Sequence, residues 1–235
     1  KSGATVSLWW RGLHQRSGGV WANKLVHSLH LITGKYGMPS AVAFSLTGQP
    51  NACGGVREAG SLAHLLPGCR PVANPAARAQ MEKAWKVPEG RIDPKPGMDT
   101  MAMFGNFGAE SDSTKPVKMI ITSTTDPAKS LPDLNKYLPG MEAGFLVTLD
   151  IFPTRTTQMA DVILPAAFLY EKGGVYGCSG RRSQLTEKAV NPPGEAKPDL
   201  WVAAQLAKRL GFEELIPWNI DDSMKANEIA WSDYT

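Results

Sequence analysis

The sequence predicts an α/β fold, a mostly parallel sheet flanked by helices in a Rossmann-like, doubly wound arrangement. Short runs of β-branched and apolar residues at 5–10, 117–122, 145–149 and 162–164 suit strands buried between layers. The stretches between them carry helical spacing, and the crossovers approach ten residues or more, the length that parallel pairing needs. Polar and glycine-rich turns follow several of these runs, at the carboxyl ends where such sheets gather ligands. Residues 1–215 are read as this domain, with a surface excursion over about 88–116 and an arm or linker towards a missing domain over 216–235.

The first strand, 5–10, ends in Arg11-Gly12 and a loop holding Gln15, Gly18 and Gly19. In residues 19–33, Trp21, Leu25, Leu29 and Ile32 recur at spacings of four, four and three before Gly34, which predicts an amphipathic helix with a glycine stop. A helix is expected over 58–66, halted by Pro67-Gly68. Asn74-Pro75 supplies an N-cap and a first-turn proline for a helix over 76–85. The Pro-, Gly- and Asp-rich excursion holds a short helix over 98–104. Strand 117–122 runs into Ser123-Thr124-Thr125-Asp126-Pro127, a polar turn of the kind that receives phosphate or ribose. A weak helix at 131–137 leads to strand 145–149, which ends in Asp150; Pro153 and Thr154 open a helix as far as Ala160. Residues 173–177 and 181–184 suggest a turn and an extended segment. Asp199 is expected to cap the last helix, whose apolar stripe is Leu200, Ala203, Ala204, Ala207 and Leu210.

The composition excludes several classes of function. A formal charge of +3 on 235 residues, with Lys and Arg scattered, gives no nucleic-acid or membrane-surface footprint. No apolar run approaches the roughly 18 to 20 residues of a membrane span. No export signal is legible at Lys1-Ser2-Gly3-Ala4-Thr5, and with the first strand so close to residue 1 the chain reads as a piece of a longer protein. Cys53, Cys69 and Cys178 are odd in number and lack CxxC spacing, against a disulfide framework or structural zinc; for Cys53 and Cys178, buried structural cysteine is the expectation. No His has metal-ligand spacing with a partner, although His14 lies in the first ligand loop.

The richest stretch is Ser45-Leu46-Thr47-Gly48-Gln49-Pro50-Asn51-Ala52-Cys53-Gly54-Gly55-Val56-Arg57-Glu58. Its glycines and proline oppose regular structure, and it carries an amide and a guanidinium eight residues apart, the equipment of an anion-binding loop or of an ordinary solvated one. Arg57 can fork two N–H donors onto a planar anion, and Gln49 can both donate and accept beside it. Asp150, at a strand end, is placed to chelate a ribose diol or the N1–H and N2–H₂ edge of guanine, or to serve as a turn or cap.

The loop resembles that of the molybdenum-bis(molybdopterin guanine dinucleotide) oxidoreductases, and within them the periplasmic dissimilatory nitrate reductases. The resemblance spans about 9–88 and 117–218. It is carried further by Asp150-Ile151-Phe152-Pro153-Thr154, Ala160-Asp161-Val162-Ile163-Leu164-Pro165, Glu171-Lys172-Gly173-Gly174 and Arg181-Arg182. It implies that Gln49 and Arg57 stand over the metal facing an oxyanion, and that Gln15, Asp126, Asp150, Lys172 and Asp199 contact one guanine dinucleotide arm, with Lys172 neutralising phosphate. Arg11 stands where those enzymes place a Met near pterin and metal. Asp126 and Cys178 each replace an Asn. The metal-ligating Cys, the four-Cys motif of the 4Fe-4S cluster and the C-terminal barrel are expected outside this chain.

What the resemblance implies is one wall of a nitrate reductase active site, reducing nitrate to nitrite by oxygen-atom transfer. Electrons would arrive through the iron–sulfur cluster from a cytochrome or iron–sulfur donor, in anaerobic respiration or nitrate assimilation. The implied location is the periplasm, with the cytoplasm as alternative. Two other readings stand beside it: an assimilatory nitrate reductase or relative acting on another oxyanion, suggested by Arg11, and a cofactor-free structural module of a redox complex.

Overall fold

The computed structural model describes residues 3–46, 49, 51–55, 59–60, 62–108, 116–178 and 182–215. Arg57 and Arg181, and the expected arm over 216–235, lie outside the described residues. Parallel pairing occurs in two sheets, not one continuous sheet, among the described residues. Strand β1 (Val6–Trp9) pairs in parallel with β2 (Val42–Ser45), and between them run the one-turn α1 (Arg11–His14) and α2 (Gly19–Ile32). Short antiparallel β3 (Leu65–Leu66) and β4 (Arg70–Pro71) precede α3 (Pro75–Ala84) and α4 (Thr100–Gly105).

The second parallel sheet has the order β5 (Met119–Ser123), β6 (Phe145–Asp150), β7 (Val162–Pro165). Its crossovers are α5 (Pro127–Ser130) with α6 (Leu134–Ala143), and then α7 (Arg155–Met159). An antiparallel hairpin of β8 (Gly174–Gly177) and β9 (Ser183–Thr186) follows, then α8 (Asp199–Arg209) and a 3-10 turn at Glu213–Leu215.

Strand β6 explains why this sheet is layered on both faces. Alternate residues point to opposite sides, so Leu146 joins Ile120, Phe104, Tyr137 and Met141 in a core under α4 to α6. Val147 and Leu149 meet Val202 of α8, with Val162, Leu164 and Trp201 packed around them. The threonines Thr122 and Thr148, both buried, meet across β5 and β6 at 3.2 Å, so a buried hydroxyl pair sits within the first core face. A satellite core of Leu66, Val72, Ala77 and Met81 packs β3 and β4 on α3. There Glu82, only 5% exposed, accepts from Gly90 N and Ile92 N at 3.1 and 2.8 Å and pins the returning chain.

Several sequence expectations need correction. The helix expected over 58–66 is absent from the described residues there: Gly60 takes φ +71°, a Cβ on it would meet Leu66 C at 2.4 Å, and Leu65 and Leu66 pair in β3 instead. The weak helix expected over 131–137 forms from Leu134 as α6, which continues to Ala143 with Pro139 in its interior, and the short α5 precedes it. The amphipathic helix α2 forms, but its stripe is not buried by this chain: Trp21, Leu25, Leu29 and Ile32 are 69%, 67%, 59% and 79% exposed. In α8 the buried residues are Val202 and Ala204, while Leu200 and Leu210 of the expected stripe are exposed. The cap of α8 is Pro198, with Asp199 its first helical residue.

Candidate functional site

The carboxyl ends of β5, β6 and β7 lie along one edge because all three run parallel, with Ser123 in register with Leu149 and Asp150 with Pro165. Three groups of polar side chains collect there. At the end of β5, Ser123 Oγ donates to Asp199 Oδ1 at 2.9 Å, and Lys172 Nζ donates to Asp199 Oδ2 at 2.5 Å. Burial pushes the Asp199 carboxyl up, but the hydrogen bond and charge of Lys172 and the Ser123 hydroxyl outweigh it and hold the group below its ordinary value.

Asp150 forms its own turn at the end of β6. Its Oδ1 accepts from Ile151 N at 2.7 Å and Phe152 N at 3.3 Å, which satisfies the first amides after the strand. Both bonds fall on one carboxylate oxygen.

Asp126, in the turn after β5, has a different partner. Its Oδ1 accepts from Thr156 N at 2.9 Å and from Thr156 Oγ1 at 2.6 Å, which ties the loop after β5 to the start of α7. Thr156 Oγ1 in turn accepts from Ala128 N at 3.0 Å, so one fully buried hydroxyl joins α5 to α7. Burial raises the Asp126 carboxyl, but the Thr156 bonds, with the Arg155 amide and the Lys129 charge, together hold it below its ordinary value. Thr154, the N-cap of α7, accepts from Thr157 N, and Thr157 Oγ1 accepts from Thr154 N at 2.7 Å.

Thr124 sits at the sheet edge with φ +56°, a left-handed conformation that a β-branched residue seldom adopts. Its N–H donates to Leu149 O at 2.9 Å, and Ser123 Oγ and Thr124 Oγ1 are 3.3 Å apart. Two exposed hydroxyls, a cation and a strand-end carboxylate thus share this edge.

The first parallel sheet contributes a separate set. Arg11 opens α1 with its guanidinium 5.2 Å from the Trp10 ring centroid, and Gln15, exposed, follows the helix. Nδ1 of His14 is shielded from solvent with no hydrogen-bond partner among the described residues. After β2, Gln49 is exposed and lines a cavity of about 330 Å³ with Asn51, Tyr176 and Gln184. Asn51 Oδ1 accepts from Gly177 N at 2.8 Å, which docks this loop on the β8–β9 hairpin.

Of the residues singled out from sequence, Lys172 and Asp199 are brought into direct contact, and Asp150 shares their sheet edge. Asp126 is committed to Thr156, while Arg11 and Gln15 follow β1 and Gln49 follows β2. Ser123, Asn51 and Thr156 were not singled out. Ser123 opens the polar turn already read as a phosphate or ribose receiver; Asn51 and Thr156 carry no signal in the sequence, because their roles depend on partners 126 and 30 residues away.

A model of the molybdopterin oxidoreductases matches residues 4–209. The chain belongs to the molybdopterin oxidoreductase family. Within that family it is 50% identical over 216 residues to a periplasmic nitrate reductase of Desulfovibrio desulfuricans, an alignment covering 91% of this chain and 28% of that protein. It is 44% identical over 230 residues to a nitrate reductase of Symbiobacterium thermophilum, covering 98% and 29%. The chain therefore spans less than a third of the length of these relatives. Among solved structures, acetylene hydratase from Pelobacter acetylenicus matches with a TM-score of 0.48 at 20% identity, over 77% of this chain and 25% of that one.

The family implies a molybdenum–pterin cofactor, and the side chains present fit such a group. A phosphate-bearing pterin asks for polar side chains and a cation beside its phosphate, and the edge of β5 to β7 carries Asp150, Thr124 and Lys172, with Ser123 and Lys172 both held on Asp199. The orphaned His14 Nδ1 is a buried polar atom of the kind a bound group satisfies.

Proposed function

We propose that this chain is one α/β part of the catalytic subunit of a molybdenum nitrate reductase, supplying one arm of the cofactor site and a wall of the substrate site. The observation that carries this is the 50% identity to a periplasmic nitrate reductase, sustained over 91% of the chain. The exposed apolar stripe of α2 supports the reading of a part: four large side chains between 59% and 79% exposed suit a face that further domains of the subunit cover.

The cofactor in this reading is molybdenum bis(molybdopterin guanine dinucleotide), which when bound supplies the oxygen-atom transfer chemistry and stores the electrons for it. Asp150 binds the guanine edge or ribose of one arm. Lys172, oriented by Asp199, supplies positive charge near the phosphates; Gln15 contacts the same arm, Arg11 lies near the pterin, and Asp126, bonded to Thr156, supports that arm through the loop after β5. Arg57 clamps nitrate and stabilises charge as it builds on the departing oxygen, while Gln49 orients the anion. A 4Fe-4S cluster held by other residues of the subunit, a cytochrome or iron–sulfur donor, and a periplasmic location complete the proposal.

The test is guanine nucleotide content in the native enzyme carrying this chain, compared with Asp150→Ala and Lys172→Met. The reading expects less nucleotide per chain in both variants with far-UV circular dichroism unchanged. Unaltered nucleotide content would remove these residues from the cofactor site.

A further inference from the structure

Cys53 and Cys178 are 125 positions apart in sequence, yet both line the cavity that Gln49 lines. They come from different segments: Cys53 from the helical residues 52–55, Cys178 from the residue that follows β8. Asn51 holds the two elements together. Its Oδ1 accepts from Gly177 N at 2.8 Å, and the same oxygen lies 1.9 Å from where a Cβ on Gly54 would stand. The neighbour of each cysteine therefore approaches one shared atom, and no side chain at 54 fits between.

Both cysteines are half-buried, whereas Cys69 is exposed and stands outside this cavity. Partial burial leaves a path for a small reagent without exposing either sulfur fully. Among the described residues no group of three or more His, Cys, Asp or Glu side chains is assembled for a metal, and the two cysteines share one cavity.

We propose that Cys53 and Cys178 are a redox-active thiol pair that closes to a disulfide across this cavity, with a low-molecular-weight disulfide as oxidant. One thiolate attacks a sulfur of the reagent, forming a mixed disulfide and expelling one reagent thiol. The second thiolate then attacks the protein sulfur of that mixed disulfide and expels the other reagent thiol. Two protein thiols lose two electrons and two protons in all; one S–S bond breaks in the reagent and one forms in the protein. The bond fixes the loop after β2 to the β8–β9 hairpin, a link that Asn51 makes only by hydrogen bonding.

The experiment treats the native enzyme with oxidised glutathione, alkylates the remaining thiols and maps peptides by mass spectrometry. The expected result is a cross-linked peptide joining residues 53 and 178, lighter than its two thiol parents by two hydrogens and lost on reduction. In Cys53→Ser and in Cys178→Ser the cross-link disappears and the remaining cysteine carries glutathione. Separate glutathione adducts on both cysteines of the unaltered enzyme, alkylation of both after oxidation, or pairing of either with Cys69 would overturn the proposal. The readout is independent of nitrate turnover, so it stands or falls apart from the proposed function.

Discussion

Lys172 Nζ lies 2.5 Å from Asp199 Oδ2, joining the loop before β8 to the first turn of α8. Ser123 takes the other carboxylate oxygen. The lysine that the sequence offers as a bare cation for phosphate is thus held in an ion pair, and its position is set by a residue 27 further along the chain. Asp199 in turn gains a partner that offsets its burial at a helix start.

Removing that cation has a pH signature. In Lys172→Met the protein should lose about 1 kcal/mol at neutral pH, a modest figure because both side chains keep partial contact with solvent. The folded-state value of Asp199 lies below its unfolded value, so the pair's contribution is complete above the unfolded carboxyl pKa of about 3.9 and vanishes as pH falls through the lower folded value. Urea unfolding of variant and parent should therefore differ most near neutrality and converge in acid.

Asp126→Asn and Asp126→Ala should separate sharply. The Asn keeps an oxygen to accept from Thr156 N and Oγ1, whereas Ala leaves donors on a fully buried residue without a partner, at a cost of about 1–3 kcal/mol. Chemical denaturation reads the difference. Equal loss in both variants would show that the negative charge, not the acceptor geometry, matters.

Thr124 offers the opposite sign. Glycine at this φ of +56° relieves left-handed strain, and Thr124→Gly should raise stability by about 1 kcal/mol. Because it removes a hydroxyl from the sheet edge, the same change should lower cofactor retention. Thermal unfolding and nucleotide content, measured on one preparation, check both.

How much of this was legible before the structure depends on the range of the interactions involved. Strands such as 145–149 declare themselves because β6 is buried on both faces and reads as a continuous apolar run. The Asn74 cap and the Thr154 helix start are equally local, each a side chain bonding to an amide two or three residues on. The segment near Gly60 misled because its composition suits a helix, while the turn at Pro67-Gly68 and the close approach of Leu66 decide for a hairpin. The stripe of α2 is a true helical period, but a period says only that a face is apolar, not that this chain covers it. For the site, residue type was readable and partnership was not: Asp126 and Asp199 look alike in sequence, yet one binds a threonine and the other a lysine.

Arg57→Ala in the native enzyme should abolish or severely reduce nitrate turnover while metal and nucleotide content stay at the parent level, because the proposed contact is with the anion and not the cofactor. Reduced-dye oxidation by nitrate, measured beside metal analysis, gives both numbers. Unchanged turnover would remove Arg57 from the substrate site.

The central claim is that this chain builds part of a molybdenum nitrate reductase. Its most direct test is metal and guanine nucleotide analysis of the natively purified enzyme together with nitrite formation from nitrate, using a dye as electron donor. The expected result is molybdenum, two guanine nucleotides per chain and nitrite production. Cofactor present with nitrate inert would contradict the substrate, and protein free of metal and nucleotide would contradict the cofactor site itself.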